Sequence, residues 1–130
     1  MSLHVLPFAK IIILREDIAE VIINDTVELT LEMVNDYHAF LLSHLSPPFS
    51  LLINKINSYS YTYNAQKELA TLKEINAMAV VVYRRATKIS TETLVAVPRT
   101  EPWNLKIYSN RNDALEWLIA TQDRLAAVKR

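Results

Sequence analysis

The segment from Ser58 to Tyr63, here called the tyrosine segment, has the composition of a binding surface. It reads Ser-Tyr-Ser-Tyr-Thr-Tyr and holds three of the chain's six tyrosines. Tyrosine offers a large apolar ring together with one hydroxyl, which suits both interface anchors and the walls of small-molecule pockets. The alternative is a loop whose rings cover the edge of the core while their hydroxyls stay in water.

Basic residues follow the most apolar stretch of the chain. Arg84, Arg85 and Lys88 come directly after Ala77 to Tyr83. If that stretch is a parallel strand, these side chains reach the sheet edge where α/β proteins bind ligands, beside the helix that starts near Asn64. Arginines and helix N-termini both attract anions, although a solvated basic turn is the plainer explanation. We therefore predict one partner or anion site, formed by Tyr59, Tyr61, Thr62, Tyr63, Asn64, Arg84, Arg85 and Lys88.

Several classes of chemistry are excluded by residues that the chain lacks. It has no glycine and no cysteine, so it cannot carry a Walker loop, a GxGxxG turn, a GxSxG elbow, a disulfide or a cysteine-bound metal. His38 and His44 are six residues apart and therefore do not share the helix face that paired metal ligands need. No local pattern marks a nucleophile. We expect no enzyme activity, no metal and no cofactor.

Charge and hydropathy restrict the partners and the compartment. The chain has 14 basic and 14 acidic side chains, whereas nucleic-acid-binding domains are usually basic. Its longest unbroken apolar run, Ala77 to Tyr83, is far shorter than the ~20 residues that a membrane-spanning helix needs. The N-terminus lacks the basic head and apolar stretch of a signal peptide. We expect a cytoplasmic protein with no nucleic-acid partner and no membrane insertion.

The elements that would position these side chains alternate between strand and helix. Thr30, Thr62 or Asn64, and Asn110 are candidate helix caps, and a polar turn that contains Asp17 joins the first two strands, with Asp17 expected to accept a left-handed conformation. The order ββαβαβαβα predicts a single α/β domain over residues 1–130, with a mostly parallel sheet and an antiparallel N-terminal edge hairpin. The predicted strands are His4–Leu14, Ile18–Ile23, Ser50–Ile56, Ala77–Tyr83 in the sheet interior, and Leu105–Tyr108. The predicted helices start at Thr30, run from Thr62 or Asn64 through Glu74, span Thr87–Val97, and start at Asn110.

The predicted helix Thr87–Val97 has a weak helical pattern and few charges for a surface element. Leu94, Val95 and Val97 lie in it, next to prolines. Exposed apolar patches often mark association surfaces, and a two-fold dimer is the commonest soluble homo-oligomer. We therefore predict a homodimer that associates through these three residues.

The element order resembles the STAS domain, the sulfate-transporter and anti-sigma-antagonist module, and is most similar to an uncharacterised bacterial branch. The resemblance covers nearly the whole chain and is based on patterns of apolar positions. It is carried by the opening hairpin with its Thr30-capped helix, by Leu51-Leu52-Ile53-Asn54 running into Tyr63-Asn64-Ala65, and by Leu105-Lys106-Ile107-Tyr108-Ser109 followed by Ala114-Leu115-Glu116-Trp117-Leu118.

This resemblance implies a STAS-like fold and a non-enzymatic regulatory module that binds another protein. In anti-sigma antagonists the second helix opens with Asp-Ser-Ser-Gly, and its second serine is phosphorylated. That serine corresponds to Asn64 here, so the resemblance implies a module without the phosphoserine switch. The alternative is a small-molecule or lipid-binding carrier, because STAS-like folds share their layer architecture with some lipid-transfer domains. A carrier requires an apolar pocket, whereas an interaction module requires a filled core and an apolar outer patch.

Overall fold

The computed structural model describes residues 1–97 and 103–128, and it begins with three antiparallel strands instead of two. These are β1 (Ser2–Leu6), β2 (Ala9–Arg15) and β3 (Ile18–Ile23). The single strand predicted over His4–Leu14 is wrong, because the chain turns at Pro7 and folds back so that Leu6 pairs with Ala9. Proline lacks a backbone N–H and has a fixed φ, so it favours this turn over a continuous ladder.

The rest of the chain alternates helices with parallel strands. In order it forms β4 (Glu28–Leu29), α1 (Leu31–His44), β5 (Phe49–Lys55), β6 (Ser60–Tyr61), α2 (Tyr63–Glu68), β7 (Ile75–Val82), α3 (Arg85–Val95), β8 (Leu105–Tyr108) and α4 (Arg111–Val128). The main sheet has the order β1-β2-β3-β5-β7-β8, while β4 and β6 form a separate short parallel pair. All pairs from β3 to β8 in the main sheet are parallel. The α/β class, the mostly parallel sheet and the interior position of β7 are therefore confirmed.

Side-chain caps fix where three helices begin. Thr30, Thr62 and Asn110 each accept a hydrogen bond from the backbone N–H three residues further on, at 3.3, 3.2 and 3.1 Å. Such caps satisfy N–H groups that have no partner inside the helix. The structure thus selects Thr62 from the two candidates at the second helix. That helix ends at Glu68, not at the predicted Glu74.

Two non-glycine residues in the described ranges take positive φ values, Thr26 at 65° and Ala70 at 55°. The expectation of a left-handed Asp17 is wrong; its carboxylate instead accepts hydrogen bonds from Arg15 and Gln122. Ala70 is held on both sides, because its N–H donates to Nε2 of His38 and its carbonyl accepts from Nε1 of Trp103, each at 3.0 Å. In a glycine-free chain, such contacts must offset the strain of the left-handed conformation.

The two faces of the sheet carry separate apolar clusters. On the first face, Leu51 of the sheet packs in one cluster with Tyr37 and Leu41 of α1. On the second face, Leu52 packs in the other cluster with Leu118 of α4. No helix in the described ranges combines the length and apolarity that a bilayer crossing requires.

A buried ionic contact joins α4 to the sheet. The carboxylate of Glu20 accepts hydrogen bonds from Nη2 and Nε of Arg111 at 2.6 and 3.0 Å, and from Nδ2 of Asn54 at 2.9 Å. Burial alone would raise the pKa of Glu20, but these hydrogen bonds hold the pKa below its ordinary value. The start of α4 is thereby fixed against β3 and β5.

Candidate functional site

An apolar cavity with a volume of about 50 Å³ lies between the first face of the sheet and the elements that cover it. A single buried water needs only about 10–15 Å³, so the space exceeds one water molecule. Close packing normally leaves few voids of this size in a small domain. The strands β3, β5, β7 and β8 contribute Val21, Ile23, Ile53, Lys55, Met78, Val80 and Leu105, and the covering elements include Tyr37, Tyr59, Tyr61 and Leu94.

Lys55 is the charged residue in this wall. It ends β5, and its side chain follows Leu51 and Ile53 on the face that points away from α4. The residue is only 6% exposed. Nζ donates to the hydroxyl of Tyr61 at 3.2 Å and lies 5.5 and 5.6 Å from the ring centroids of Tyr59 and Tyr61. Loss of hydration lowers the pKa of Lys55 to about 8.

Lys55 has no carboxylate counter-ion in the part of the chain that the structure describes. No aspartate or glutamate oxygen of those residues lies within 4.0 Å of its Nζ. The nearest compensation comes from one hydroxyl and two aromatic faces, which attract a cation through their quadrupoles. A buried ammonium normally needs a paired charge, so this environment is unusual for a lysine that only supports the fold.

The tyrosines of the wall are neutral at physiological pH. Burial raises the pKa of Tyr37 and Tyr59 well above the ordinary value and that of Tyr61 to about 12. The Tyr59 and Tyr61 rings meet edge to face with centroids 5.5 Å apart. Lys55 is therefore the wall residue that changes charge near neutral pH.

The tyrosine segment divides between the cavity and the surface. Tyr59 and Tyr61 line the cavity, and Thr62 caps α2. Tyr63 is 71% exposed, with Nζ of Lys67 4.8 Å from its ring centroid. Asn64 is also exposed. The predicted site is thus split, because the start of α2 turns the chain out of the cavity wall.

The basic residues after β7 lie at the same end of the sheet as the tyrosine segment, but outside the cavity. Nη2 of Arg84 donates to Oγ of Ser58 at 2.6 Å, which joins the start of α3 to the start of the tyrosine segment. Arg85 and Lys88 are exposed on α3. The proximity of Arg84 agrees with strand carboxyl ends meeting at one edge. Anion binding by these residues stays a prediction.

The residues predicted for self-association differ in exposure. Leu94 is 8% exposed and lines the cavity, so the expectation that it belongs to an exposed patch is wrong. Val95 is 38% exposed and also borders the cavity, and Val97 is half-buried. Leu94 and Val95 of α3 cover the cavity, which accounts for these two apolar residues without a second copy of the chain. Self-association itself stays a prediction.

Two contacts were not anticipated from the sequence. Lys55 does not stand out in the sequence, although alternation along β5 puts it on the same face as Leu51 and Ile53, and this periodicity was the available signal. His4 and His44 come together with ring centroids 4.9 Å apart. The described residues contain no group of three metal-ligating side chains.

Comparison of the chain with protein-family models, with curated proteins and with solved structures gives no match. The resemblance to STAS domains therefore stays a prediction.

Proposed function

We propose that this chain is a small-molecule-binding protein that holds a compact, mainly apolar ligand against Lys55 and Tyr61. The observation that carries the proposal is the buried ammonium of Lys55 in the wall of an apolar cavity, with no carboxylate partner among the described residues. Ligand sites are typically concave and apolar, with a small number of polar groups that orient the ligand. Such a protein corresponds to the small-molecule carrier that the sequence leaves open as an alternative.

The cavity favours a carrier or sensor over a module with a filled core. Two of its polar wall groups donate to backbone carbonyls, the Thr91 hydroxyl to Thr87 and Nε1 of Trp103 to Ala70. The others are Lys55 and the hydroxyls of Tyr37, Tyr59 and Tyr61. This set can orient one polar group of a ligand. The proposed role is binding without catalysis.

The test is an NMR titration of the amide resonances of Ile53, Met78 and Leu94 with two four-carbon probes, butanoate and 1-butanol. We expect saturable shifts of these resonances with at least one probe. Leu94→Trp should abolish them, because the larger side chain fills the cavity. Val128→Trp is the matched control, since Val128 is 84% exposed on α4. If neither probe gives saturable shifts, or if Leu94→Trp leaves them unchanged, the proposed function is wrong.

A second candidate is the regulatory protein-binding module that the STAS resemblance implies. The exposed ring of Tyr63 and the hydrogen bond between Arg84 and Ser58 support it. A partner captured from the native host should bind at least about tenfold more weakly to the Arg84→Ala/Arg85→Ala double variant, because charge-assisted hydrogen bonds are lost. Tyr63→Ala should also weaken it. A partner whose affinity is unchanged by these substitutions would contradict this candidate.

A further inference from the structure

At the Lys55 end of the cavity, hydrogen-bond donors outnumber the acceptors that they could bind. A tyrosine hydroxyl donates one hydrogen bond and accepts two. An ammonium accepts no hydrogen bond, and the Tyr61 oxygen accepts one from Nζ of Lys55 at 3.2 Å. Its own proton is therefore available to an acceptor. Lys55 uses one of its three N–H donors on Tyr61, and no other hydrogen bond joins Nζ to the described residues.

The same end of the cavity has an excess of positive charge. The titratable groups that face it are Tyr37 from α1, Tyr59 and Tyr61 from the tyrosine segment, and Lys55 itself. The three phenols are neutral, because burial raises the pKa of each. Among the described wall residues, none supplies a negative charge to the ammonium.

We propose that the ligand is a compact apolar monocarboxylate, whose carboxylate lies against Nζ of Lys55 and the hydroxyl of Tyr61. This inference rests on the proposed function and names its ligand class. A carboxylate accepts hydrogen bonds at both oxygens and donates none, so it matches the free donors. It also supplies the missing counter-ion. A neutral alcohol brings its own donor, and an amine brings a second positive charge.

The proposed binding is linked to the charge of Lys55. An opposite charge within hydrogen-bonding distance favours the ammonium form, so the bound carboxylate raises the pKa of Lys55. Affinity for the carboxylate is then constant between the pKa of the ligand's own carboxyl group and the Lys55 pKa of about 8, and it falls above that value. The limiting slope is about tenfold per pH unit, until the pKa of the complex is reached. Neutral ligands lack this dependence.

The experiment compares butanoate with butanamide, 1-butanol and butylammonium by the same NMR titration. We expect butanoate to bind at least about tenfold more tightly than butanamide, as is typical when a charge-assisted hydrogen bond replaces a neutral one. Lys55→Met should remove this preference, so that butanoate and butanamide bind to the variant with similar affinity. Tyr61→Phe should weaken butanoate by a smaller factor. Lys67→Met, at an exposed lysine on α2, is the matched control.

The outcomes separate this inference from the proposed function. If butanoate binds no better than butanamide, or if its advantage survives in Lys55→Met, the carboxylate assignment is overturned and the small-molecule site stands. If none of the four probes binds, the proposed function itself fails. The pH dependence of the unsubstituted protein gives a second test that does not depend on whether a variant folds. Butanoate affinity that is flat from about pH 7 to pH 10 would also overturn the assignment.

Discussion

Nζ of Lys55 lies 3.2 Å from the hydroxyl oxygen of Tyr61, and both side chains line one apolar cavity. Lys55 ends β5 of the main sheet, whereas Tyr61 ends β6 of the short parallel pair. The contact therefore joins the two sheets at the carboxyl end of a parallel strand, where open α/β sheets commonly bind ligands. Its position leaves a cation without a charged partner among the described residues.

The first prediction concerns the stability cost of Lys55. Because burial lowers its pKa from 10.5 to about 8, the unfolded chain binds more protons between these values. The lysine's contribution to the free energy of unfolding is then lowest below pH 8 and rises as pH increases toward 10.5. Lys55→Met removes this dependence. We expect the variant to be more stable than the unsubstituted protein at pH 7, by up to about 3 kcal/mol.

Urea denaturation of both proteins at pH 7 and near pH 10 measures this effect. The buried tyrosines act in the opposite direction at high pH, because the unfolded chain loses their protons first. Since the variant keeps them, the difference between the two proteins isolates Lys55. A difference that does not change with pH would contradict the prediction.

The fold was predictable where local pattern and tertiary structure agree. The bounds of β8, Leu105–Tyr108, and the caps Thr30 and Asn110 follow from apolar runs and polar cap residues. The end of the first strand was not predictable, because β-branched residues occur on both sides of the turn and conceal it. Pro7 was the residue that indicated a turn. A proline can also lie in an edge strand, so it marks a turn only if the residues before it pair with a strand of their own.

The candidate site was only half predictable for a related reason. Tyr59 and Tyr61 stand out by composition, and the rule of strand carboxyl ends places them at the correct edge. The burial of Lys55 depends on where β6 and α3 lie over the sheet, and these are contacts between elements distant in sequence. The same contacts bury Leu94, which in isolation resembles an exposed apolar residue on a surface helix.

The second prediction concerns the contact between Glu20 and Arg111. Arg111→Leu leaves the Glu20 carboxylate, which is 4% exposed, with Asn54 as its remaining described partner. Removing one member of a buried pair typically costs 3–5 kcal/mol. Because Arg111 is itself partly exposed, we expect a loss of about 2 kcal/mol. Urea denaturation at neutral pH measures it, with Arg124→Leu as the exposed control.

The pH dependence of this contact has a definite sign. The folded pKa of Glu20 is below its unfolded value, so its stabilisation is present above the unfolded pKa and is lost as pH falls through the folded one. The destabilisation by Arg111→Leu should therefore shrink in acid. A loss that is equal at neutral and acidic pH would indicate lost packing and not lost charge.

The third prediction concerns Thr26, which has a φ of 65°. A β-branched residue is strained in the left-handed region, whereas glycine is not. Thr26→Gly should therefore raise the free energy of unfolding by about 1 kcal/mol. The gain is reduced by the larger backbone entropy of unfolded glycine and by loss of the hydroxyl contact to the Asp25 carbonyl. Thermal unfolding of Thr26→Gly and Thr26→Ala tests whether the positive φ causes the stabilisation, because alanine keeps a Cβ and glycine does not. Equal stabilisation by alanine would contradict this explanation.

The last prediction concerns self-association through α3. With Leu94 buried in the cavity wall, Val95 is the most exposed apolar member of the predicted interface. We expect a dimer by sedimentation velocity at high micromolar concentration, and Val95→Glu should shift it toward monomer. A two-fold interface would bury the introduced charge twice, and an unpaired buried charge is costly. Leu42→Glu, at an exposed position on α1, should leave the dimer unchanged. A monomer at high micromolar concentration would contradict the predicted dimer. A dimer that is unchanged by Val95→Glu would have its interface elsewhere, for example on β1, where Leu3 and Val5 are exposed.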